Sequence, residues 1–426
     1  MKKFLAQLCS VFLVLFIADA GLSLLDDLLT LSLGVTALAP LRGFIGLLVI
    51  LGAVLLYGLT ALTPLVPKRW MLPLILFLPA GMLAGVPFSI YFFSQAQIFI
   101  WAVSLLELAL GLWVLRSVVG RLGWRWPLVR EEQLGARAFS FGNTAGFILA
   151  NVFVLFPAVL LYLAVCASLA ADHFTDGFMA LRPDGLILRA KSYTRPDGKT
   201  VELMPMMHMG DAGFYEQVTK SFPPGAVVLL EGVTDSKHLL QQHLSYQHVA
   251  NALGLSSQKE QFSPSTEHSH RADVDVADFS PGTIAFLNLT AQLYSGNLTA
   301  PLIVELMQKS ADPQFAQKLW DDILAKRNAH LIQEIRDELQ RSNALAVPWG
   351  AMHMPAMAAE MAKDGFVLSK TEEFPVVKFS TLWKNLTTPR PPAAPSPPDP
   401  ATPPVAPNPA SSPNSSTAPA EPAAKP

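Results

Sequence analysis

The sequence predicts an all-α transmembrane bundle, followed by an α/β domain with a mixed sheet and surrounding helices, and then a disordered tail. Apolar runs fill residues 1–172, strand-like and helix-like runs alternate over 173–388, and residues 389–426 are mainly Pro, Ala and Ser. A helix needs roughly 20 apolar residues to cross a membrane. The tail cannot bury enough apolar surface to offset its ordering entropy, so we expect an extended chain with polyproline character.

Five apolar runs are candidates for membrane spans, and the lipid bilayer is therefore the expected partner. They lie at about 4–25, 43–63, 71–92, 97–115 and 145–170. The first is the least certain, because a Lys2-Lys3 start and an Ala18-Asp19-Ala20 ending resemble a secretory signal. We favour an uncleaved helix, since the apolar character continues to Leu33.

The basic residues predict an orientation for these spans. Lys2, Lys68 and the arginines from Arg116 to Arg137 fall on alternate sides of the spans and hence on one face. Cytoplasmic loops carry such residues, so the loop predicted to hold Asp26 and Asp27 should be extracytoplasmic. After five spans, the α/β domain should lie outside the cytoplasm, in the periplasm of a cell with an inner membrane.

Glu107 lies inside the fourth predicted span, where an ionisable side chain is costly. It either holds helices together as a protonated or partnered group, or relays protons. We favour the first interpretation, because the sequence predicts no second buried charge near it.

Charge and cysteine usage exclude two classes of function. The net charge is -2 and no basic stripe is interleaved with aromatic residues, so nucleic acid is not an expected partner. The two cysteines, Cys9 and Cys166, both fall in apolar runs. The α/β domain can therefore have neither a disulfide nor a thiolate metal site, and a metal there must use His, Asp or Glu.

The elements of the α/β domain follow in order from turn and cap signals. Arg-Pro-Asp-Gly turns at 182–185 and 195–198 bound a hairpin with strands at 186–193 and 200–206. Asp211 should cap a helix that ends near Ser221. The remaining predictions are a strand at 226–230, helices at 236–253, 281–309 with a break and 313–341, a strand at 344–349, a helix at 355–363 and a strand at 366–369.

A repeated Met-His-Met tripeptide is the most specific signal for chemistry. His208 and His353 each stand at its centre, after a strand-like run and before a helix-like one, and Glu231 follows the strand at 226–230. Side chains beyond the carboxyl ends of strands in an open α/β sheet converge on one crevice. Either histidine alone would be interpreted as a core residue, but the set of three predicts a functional site.

The pattern resembles the TraB/PrgY, GumN and Tiki family. The resemblance rests on Gly350-Ala351-Met352-His353, on Glu231 at a strand end, and on Arg327-Asn328 on a helix, and it covers roughly residues 180–380. It implies an α/β metal-dependent peptidase or related hydrolase with a peptide or protein substrate. The first motif departs from the family, since Pro205 stands where the family has Gly. Proline cannot reproduce a glycine-only conformation or supply a backbone donor.

His208, Glu231 and His353 have the ligand types for a divalent metal (Zn, Mn or Co) with an open position for water. Arg327 would stabilise an oxyanion or hold Glu231. Two alternatives stay open: a non-catalytic sensor or binding module, and a metal-free hydrolase with His208 as general base. We expect the three ligands to lie outside the main core, so that their substitution leaves the fold intact. The run from Arg271 to Val276, which includes Asp273, is interpreted as structural or substrate-facing.

Overall fold

A computed structural model describes residues 1–34, 38–120, 123–241, 245–264, 268–295, 299–310 and 312–387. The tail predicted over 389–426 lies outside the described residues.

The N-terminal region consists of long apolar helices. They are α1 (Lys2–Leu33), α2 (Ala39–Leu62), α3 (Lys68–Tyr91), α4 (Ala96–Val119), α5 (Phe141–Ala150) and α6 (Phe156–Phe174). A π-helical turn at Asn151–Leu155 joins α5 to α6 into one continuous rod. The five predicted spans are confirmed as helices long and apolar enough to cross a membrane, which indicates a membrane-embedded region.

Helix α1 lies at the centre of this bundle and packs against α2 and α4 through small residues. A Cβ at Gly52 would lie 3.0 Å from the Phe12 ring, and one at Gly111 would lie 2.8 Å from Ile17. Such glycines let backbones approach closely. The predicted loop at Asp26 and Asp27 was wrong, because both belong to α1 and are buried against neighbouring helices.

The α/β domain begins after α6. Its elements are β1 (Met179–Arg182), β2 (Gly185–Thr194), β3 (Thr200–Met206), β4 (Met209–Gly210), α7 (Ala212–Ser221), β5 (Val227–Leu230), α8 (Gln247–Leu253), β6 (Ser256–Ser257), α9 (Gln258–Gln261), β7 (Ser269–Arg271), α10 (Pro281–Tyr294), α11 (Ala300–Ser310), α12 (Pro313–Trp320), α13 (Arg327–Glu338), β8 (Ala344–Gly350), α14 (Met354–Lys363), β9 (Val367–Lys378) and α15 (Phe379–Thr387).

The main sheet is mixed, as predicted. Its strands run in the order β1-β2-β3-β8-β5-β7, and β9 pairs with β2. Strands β3, β8, β5 and β7 are mutually parallel, whereas β1, β2 and β9 are antiparallel neighbours. The carboxyl ends of four adjacent parallel strands therefore meet at one edge, where such sheets place their crevices.

Two faces of the sheet are covered by different apolar layers. Helices α13 and α14 contribute Leu331, Ile335 and Met357 to a core around Trp349. On the other face, Phe214 and Val218 of α7 pack with β9. Burial of such side chains contributes roughly 1.5–3 kcal/mol each, and it fixes the positions of the strand ends.

Three local predictions need correction. Among the described residues of the helix expected at 236–253, helix is present at Gln247–Leu253, whereas Asp235 bonds the backbone N–H groups of Leu239 and Leu240 in a loop. The last strand extends to Lys378, since it pairs with β2 along its length. Asp211 is the N-cap residue of α7 as predicted, but its side chain makes no capping bond and instead accepts from the backbone N–H of Lys378 at 3.2 Å.

Candidate functional site

The structure places every predicted site residue at the carboxyl edge of the parallel strands or beside it. His208 follows β3, Glu231 follows β5 directly, and His353 lies one short turn after β8. Met206 and Gly350 are register partners, so β3 and β8 end side by side. Arg327 starts helix α13, which packs behind this edge.

Four of the side chains at this edge form one hydrogen-bonded group, which we call the strand-end cluster: Glu231, Asp273, Arg327 and His353. Arg327 is its centre. Its Nε and Nη2 donate to the two oxygens of Asp273 at 2.9 and 2.7 Å, and Nη2 also donates to Glu231 Oε1 at 2.8 Å. Such paired geometry on a carboxylate is the strong form of ion pair.

Asp273 anchors the cluster from β7. Its side chain is 0% exposed, and its oxygens also accept from the backbone N–H groups of Gly232 and Val274, each at 2.9 Å. Burial opposes the charge on Arg327, but the bonds to Asp273 and the charge of Glu231 raise the pKa of Arg327 above its usual range. The guanidinium is therefore a permanent cation.

Glu231 is held through both oxygens. Oε1 accepts from Arg327, and Oε2 accepts from the backbone N–H of Gly350 at 2.7 Å. A Cβ at residue 350 would lie 3.5 Å from the Glu231 carboxylate, so glycine leaves room for this approach. In the first motif, Pro205 is register partner of Trp349 on β3 and has no N–H to donate.

His353 is the buried histidine at the carboxyl ends of the parallel strands, with an exposure of 4%. Its Nδ1 lies 2.6 Å from Asn328 Oδ1 and its Nε2 lies 3.3 Å from Arg327 Nη1. The amide oxygen can only accept, so Nδ1 carries the proton and Nε2 accepts from Arg327. Burial lowers the pKa of His353 to about 4, with Arg327 adding to the effect and Glu231 opposing it. The imidazole is thus neutral near pH 7.

His208 lies apart from the cluster and is exposed. Its Nδ1 lies 3.2 Å from Gln258 Oε1, and its ring stacks on Tyr246 at 4.6 Å. In the described part of the chain, no hydrogen bond or ion pair joins His208 to Glu231 or His353. Burial, followed by the effects of Tyr294 and Glu231, raises the pKa of Tyr246, so its phenol stays protonated and lies within electrostatic reach of Glu231.

The metal expected from the resemblance does not fit this arrangement. His353 Nε2 and Glu231 Oε1 are 3.8 Å apart, and the Arg327 guanidinium lies within hydrogen-bonding distance of both. The two atoms that would bind a metal ion therefore already accept hydrogen bonds from a cationic side chain. Among the described residues, no group of three or more His, Cys, Asp or Glu side chains is arranged to hold a metal ion.

Sequence reasoning missed three residues of the site. Tyr246 and Gln258 orient His208, and neither belongs to a motif. Asp273 was interpreted as structural or substrate-facing, and it serves as the anchor of Arg327. Its place directly after the apolar Ala272 at the end of β7 was the available signal, the same one that identified Glu231.

Comparison of the chain with models of known protein families, with curated proteins and with solved structures found no match.

Proposed function

We propose that the α/β domain is a membrane-anchored hydrolase of the TraB/PrgY, GumN and Tiki type that cleaves acyl bonds, with a peptide or protein substrate, without a metal ion. The observation that supports this most is that two imidazoles in different environments lie at the ends of the adjacent strands β3 and β8. His353 is buried and neutral within a fixed cluster, whereas His208 is exposed and held by Gln258. Activation of a water molecule requires an accessible base, here His208, beside groups held in fixed positions, here the strand-end cluster.

In this proposal His208 is the general base. Because Nδ1–H donates to Gln258 Oε1, Nε2 is the nitrogen that accepts a proton from water. The water oxygen then bonds to the substrate carbonyl carbon as its proton moves to Nε2. The resulting oxyanion accepts a hydrogen bond from the protonated Tyr246 phenol. The acyl bond breaks, and the leaving group takes the proton back from His208.

The strand-end cluster has a different task in the proposed reaction. All five N–H groups of Arg327 are directed at acceptors on Asp273, Glu231, His353 and the Ile323 carbonyl. Arg327 is therefore a positioning residue that holds Glu231, rather than an oxyanion donor. Glu231 would orient the substrate, since its carboxylate is fixed and retains partial exposure.

The test uses the full-length protein in detergent with p-nitrophenyl esters and fluorogenic peptides. General-base catalysis contributes typically 10²–10⁴-fold, so His208→Ala should lose about 100-fold or more in kcat. His270→Ala is the matched control, because His270 is an exposed histidine of the same sheet that faces Glu334. Activity that EDTA abolishes and zinc restores would contradict the metal-free mechanism, and full activity in His208→Ala would exclude this base.

A binding module is the second candidate function, and two observations favour it. Arg327 has no uncommitted N–H for a substrate, and Pro205 replaces the glycine of the first motif. In that case peptides would slow hydrogen exchange at the loops after β3 and β5 without being cleaved. Protection without turnover would replace the hydrolase proposal with this one.

We further propose that the domain lies in the periplasm and that the helices lie in the inner membrane. This rests on the five spans together with the lysines and arginines at alternate ends. Alkaline phosphatase fused after Lys384 should be active. An inactive fusion there, together with an active one after Arg137 in the loop between the fourth and fifth spans, would reverse the orientation.

A further inference from the structure

Four carboxylates converge inside the membrane-spanning bundle, and we call them the membrane carboxylate cluster: Asp19, Asp26, Asp27 and Glu107. Three come from α1 and one from α4. All four are buried, with Glu107 and Asp26 each 5% exposed. The prediction that no second buried charge accompanies Glu107 was wrong, because residues expected in a loop belong to the long helix α1.

The contacts made by α4 before and after Glu107 indicate which part of α1 this residue faces. Ser104 Oγ donates to Asp27 Oδ2 at 3.1 Å, and Gly111 packs on Ile17. Residues 104, 107 and 111 share one face of α4, since they are three and four residues apart. Glu107 therefore faces the part of α1 between Ile17 and Asp27, which contains Asp19. It lies halfway along the 24 residues of α4.

Among the described residues, Arg42 is the cation that faces this cluster. Arg42 of α2 lies 3.0 Å from Asp27 Oδ1 and 3.6 Å from Asp26 Oδ2, near one end of the bundle. The other ionisable side chains of α2 and α3 are engaged elsewhere. Tyr57 and Lys68 contact Asn151 and Asn143, Arg69 lies over Trp70, and Tyr91 stacks on His173. Two of the four carboxylates thus pair with Arg42, and no ion pair is formed by the other two among the described residues.

Two carboxylate oxygens of the cluster are buried and unsatisfied. Glu107 Oε1 and Asp26 Oδ1 receive no hydrogen bond from any described residue. An unpaired carboxylate in a low-dielectric interior is strongly disfavoured relative to its protonated form. No three of these acidic groups are arranged as a metal site within the described part of the bundle. A proton can bind a buried carboxylate that lacks a donor, and it needs no further coordinating group.

We propose that Glu107 and Asp19 form a proton-binding site within the membrane-spanning bundle, approached from the end at which Arg42, Asp26 and Asp27 lie. Asp19 is positioned to share the site, since its Oδ1 lies 3.4 Å from the Cβ position of Gly46 on α2, one turn beyond Arg42. The missing side chain at Gly46 leaves space beside this carboxylate. The site is independent of the hydrolase proposal.

Dicyclohexylcarbodiimide tests this proposal, because it adds to protonated carboxyl groups in apolar surroundings and leaves a stable acylurea. The full-length protein in detergent should gain the mass of one reagent molecule, and peptide mapping should place it on Glu107 or Asp19. Glu107→Gln should reduce labelling at least tenfold if Glu107 carries it. Exposed Glu131 serves as the internal control and should stay unlabelled.

Two further variants test the electrostatics of the site. Asp19→Asn removes a neighbouring negative charge and should move the pH of half-labelling of Glu107 downward. Arg42→Gln removes the positive charge and should move it upward. Labelling that is absent, or that does not change between about pH 5 and pH 9, would overturn the proposal. Protection by saturating sodium ions would also overturn it, in favour of a cation site.

Discussion

The strand-end cluster and the membrane carboxylate cluster both bury several charges, but they satisfy them differently. In the first, Arg327 is bonded on every N–H and both of its carboxylate partners also accept from backbone groups. In the second, Arg42 pairs with two of the four carboxylates, and two oxygens have no donor among the described residues.

This difference separates a cluster that fixes geometry from one that is open to a ligand. A fully satisfied network is costly to break and holds its members in one arrangement. An unsatisfied buried carboxylate is itself costly, and binding a proton relieves that cost. The four predictions that follow test this contrast, from the largest expected effect to the smallest.

Removing Arg327 should cause the largest loss of stability. Arg327→Ala leaves Asp273 with no countercharge and deprives Glu231 of its strongest donor. Breaking a buried ion pair in this way costs about 3–5 kcal/mol. Hydrogen exchange of β5 and β7 in the full-length protein measures the loss as faster opening.

Arg336→Ala is the matched control for that variant. Arg336 also bonds two carboxylates, those of Glu360 and Asp364, but its side chain is 39% exposed. Exposed pairs contribute less than about 1 kcal/mol. Equal losses in the two variants would mean that burial adds nothing to the strand-end cluster.

Acid should destabilise the α/β domain through His353. Its pKa is about 4 in the folded protein against an ordinary value of 6.5. Between these two pH values the unfolded chain therefore binds a proton at this histidine, whereas the folded protein does not. The stability is fully present above about pH 6.5 and is lost as the pH falls toward 4, by at most about 3 kcal/mol. Denaturation midpoints at a series of pH values measure this slope.

His353→Gln should flatten the pH dependence in that window. His330→Gln is the control, because His330 is a partly exposed histidine opposite Glu334 and should keep the wild-type profile. A slope that persists in His353→Gln would assign the acid sensitivity to another group.

His208 should contribute much less to stability than His353. His208→Ala loses the stacking on Tyr246 and the bond to Gln258, for about 1 kcal/mol. His353→Ala removes a buried ring that bonds Asn328 and packs edge-on against Trp349, for about 2 kcal/mol or more. The expectation that all three residues lie outside the core is wrong for His353, which is buried. Equal midpoints for the two variants would contradict the expected difference in stability.

Much of the fold could be predicted from the sequence, because long apolar runs and alternating strand and helix patterns are local signals. The five spans and the strands at 186–193, 200–206, 226–230 and 344–349 followed from them. The placement of His208, Glu231 and His353 at strand ends followed from the same reasoning. Their mutual contacts did not, because Arg327 donates to both Glu231 and His353, and that depends on how α13 packs.

The membrane carboxylate cluster could not be predicted for a related reason. Asp26 and Asp27 are charged, so the sequence pattern favours a loop, and only the packing of α1 against α2 and α4 buries them. Hydropathy reports the average of a segment and cannot report which neighbours compensate its charged residues. Tertiary contacts therefore overrode the local pattern at this point.

The smallest effect is expected from Glu107→Gln, which should change stability by no more than about 0.5 kcal/mol or increase it. Glutamine has the same shape, and Glu107 Oε1 has no donor to lose among the described residues. Asp27→Asn is the matched control in the same cluster, because Asp27 accepts from both Arg42 and Ser104. Weakening that charged pair should cost about 1–3 kcal/mol. Thermal unfolding midpoints of the two variants in one detergent compare them directly. If Glu107→Gln loses as much as Asp27→Asn, Glu107 is a partnered structural group, and the contrast between the two clusters fails.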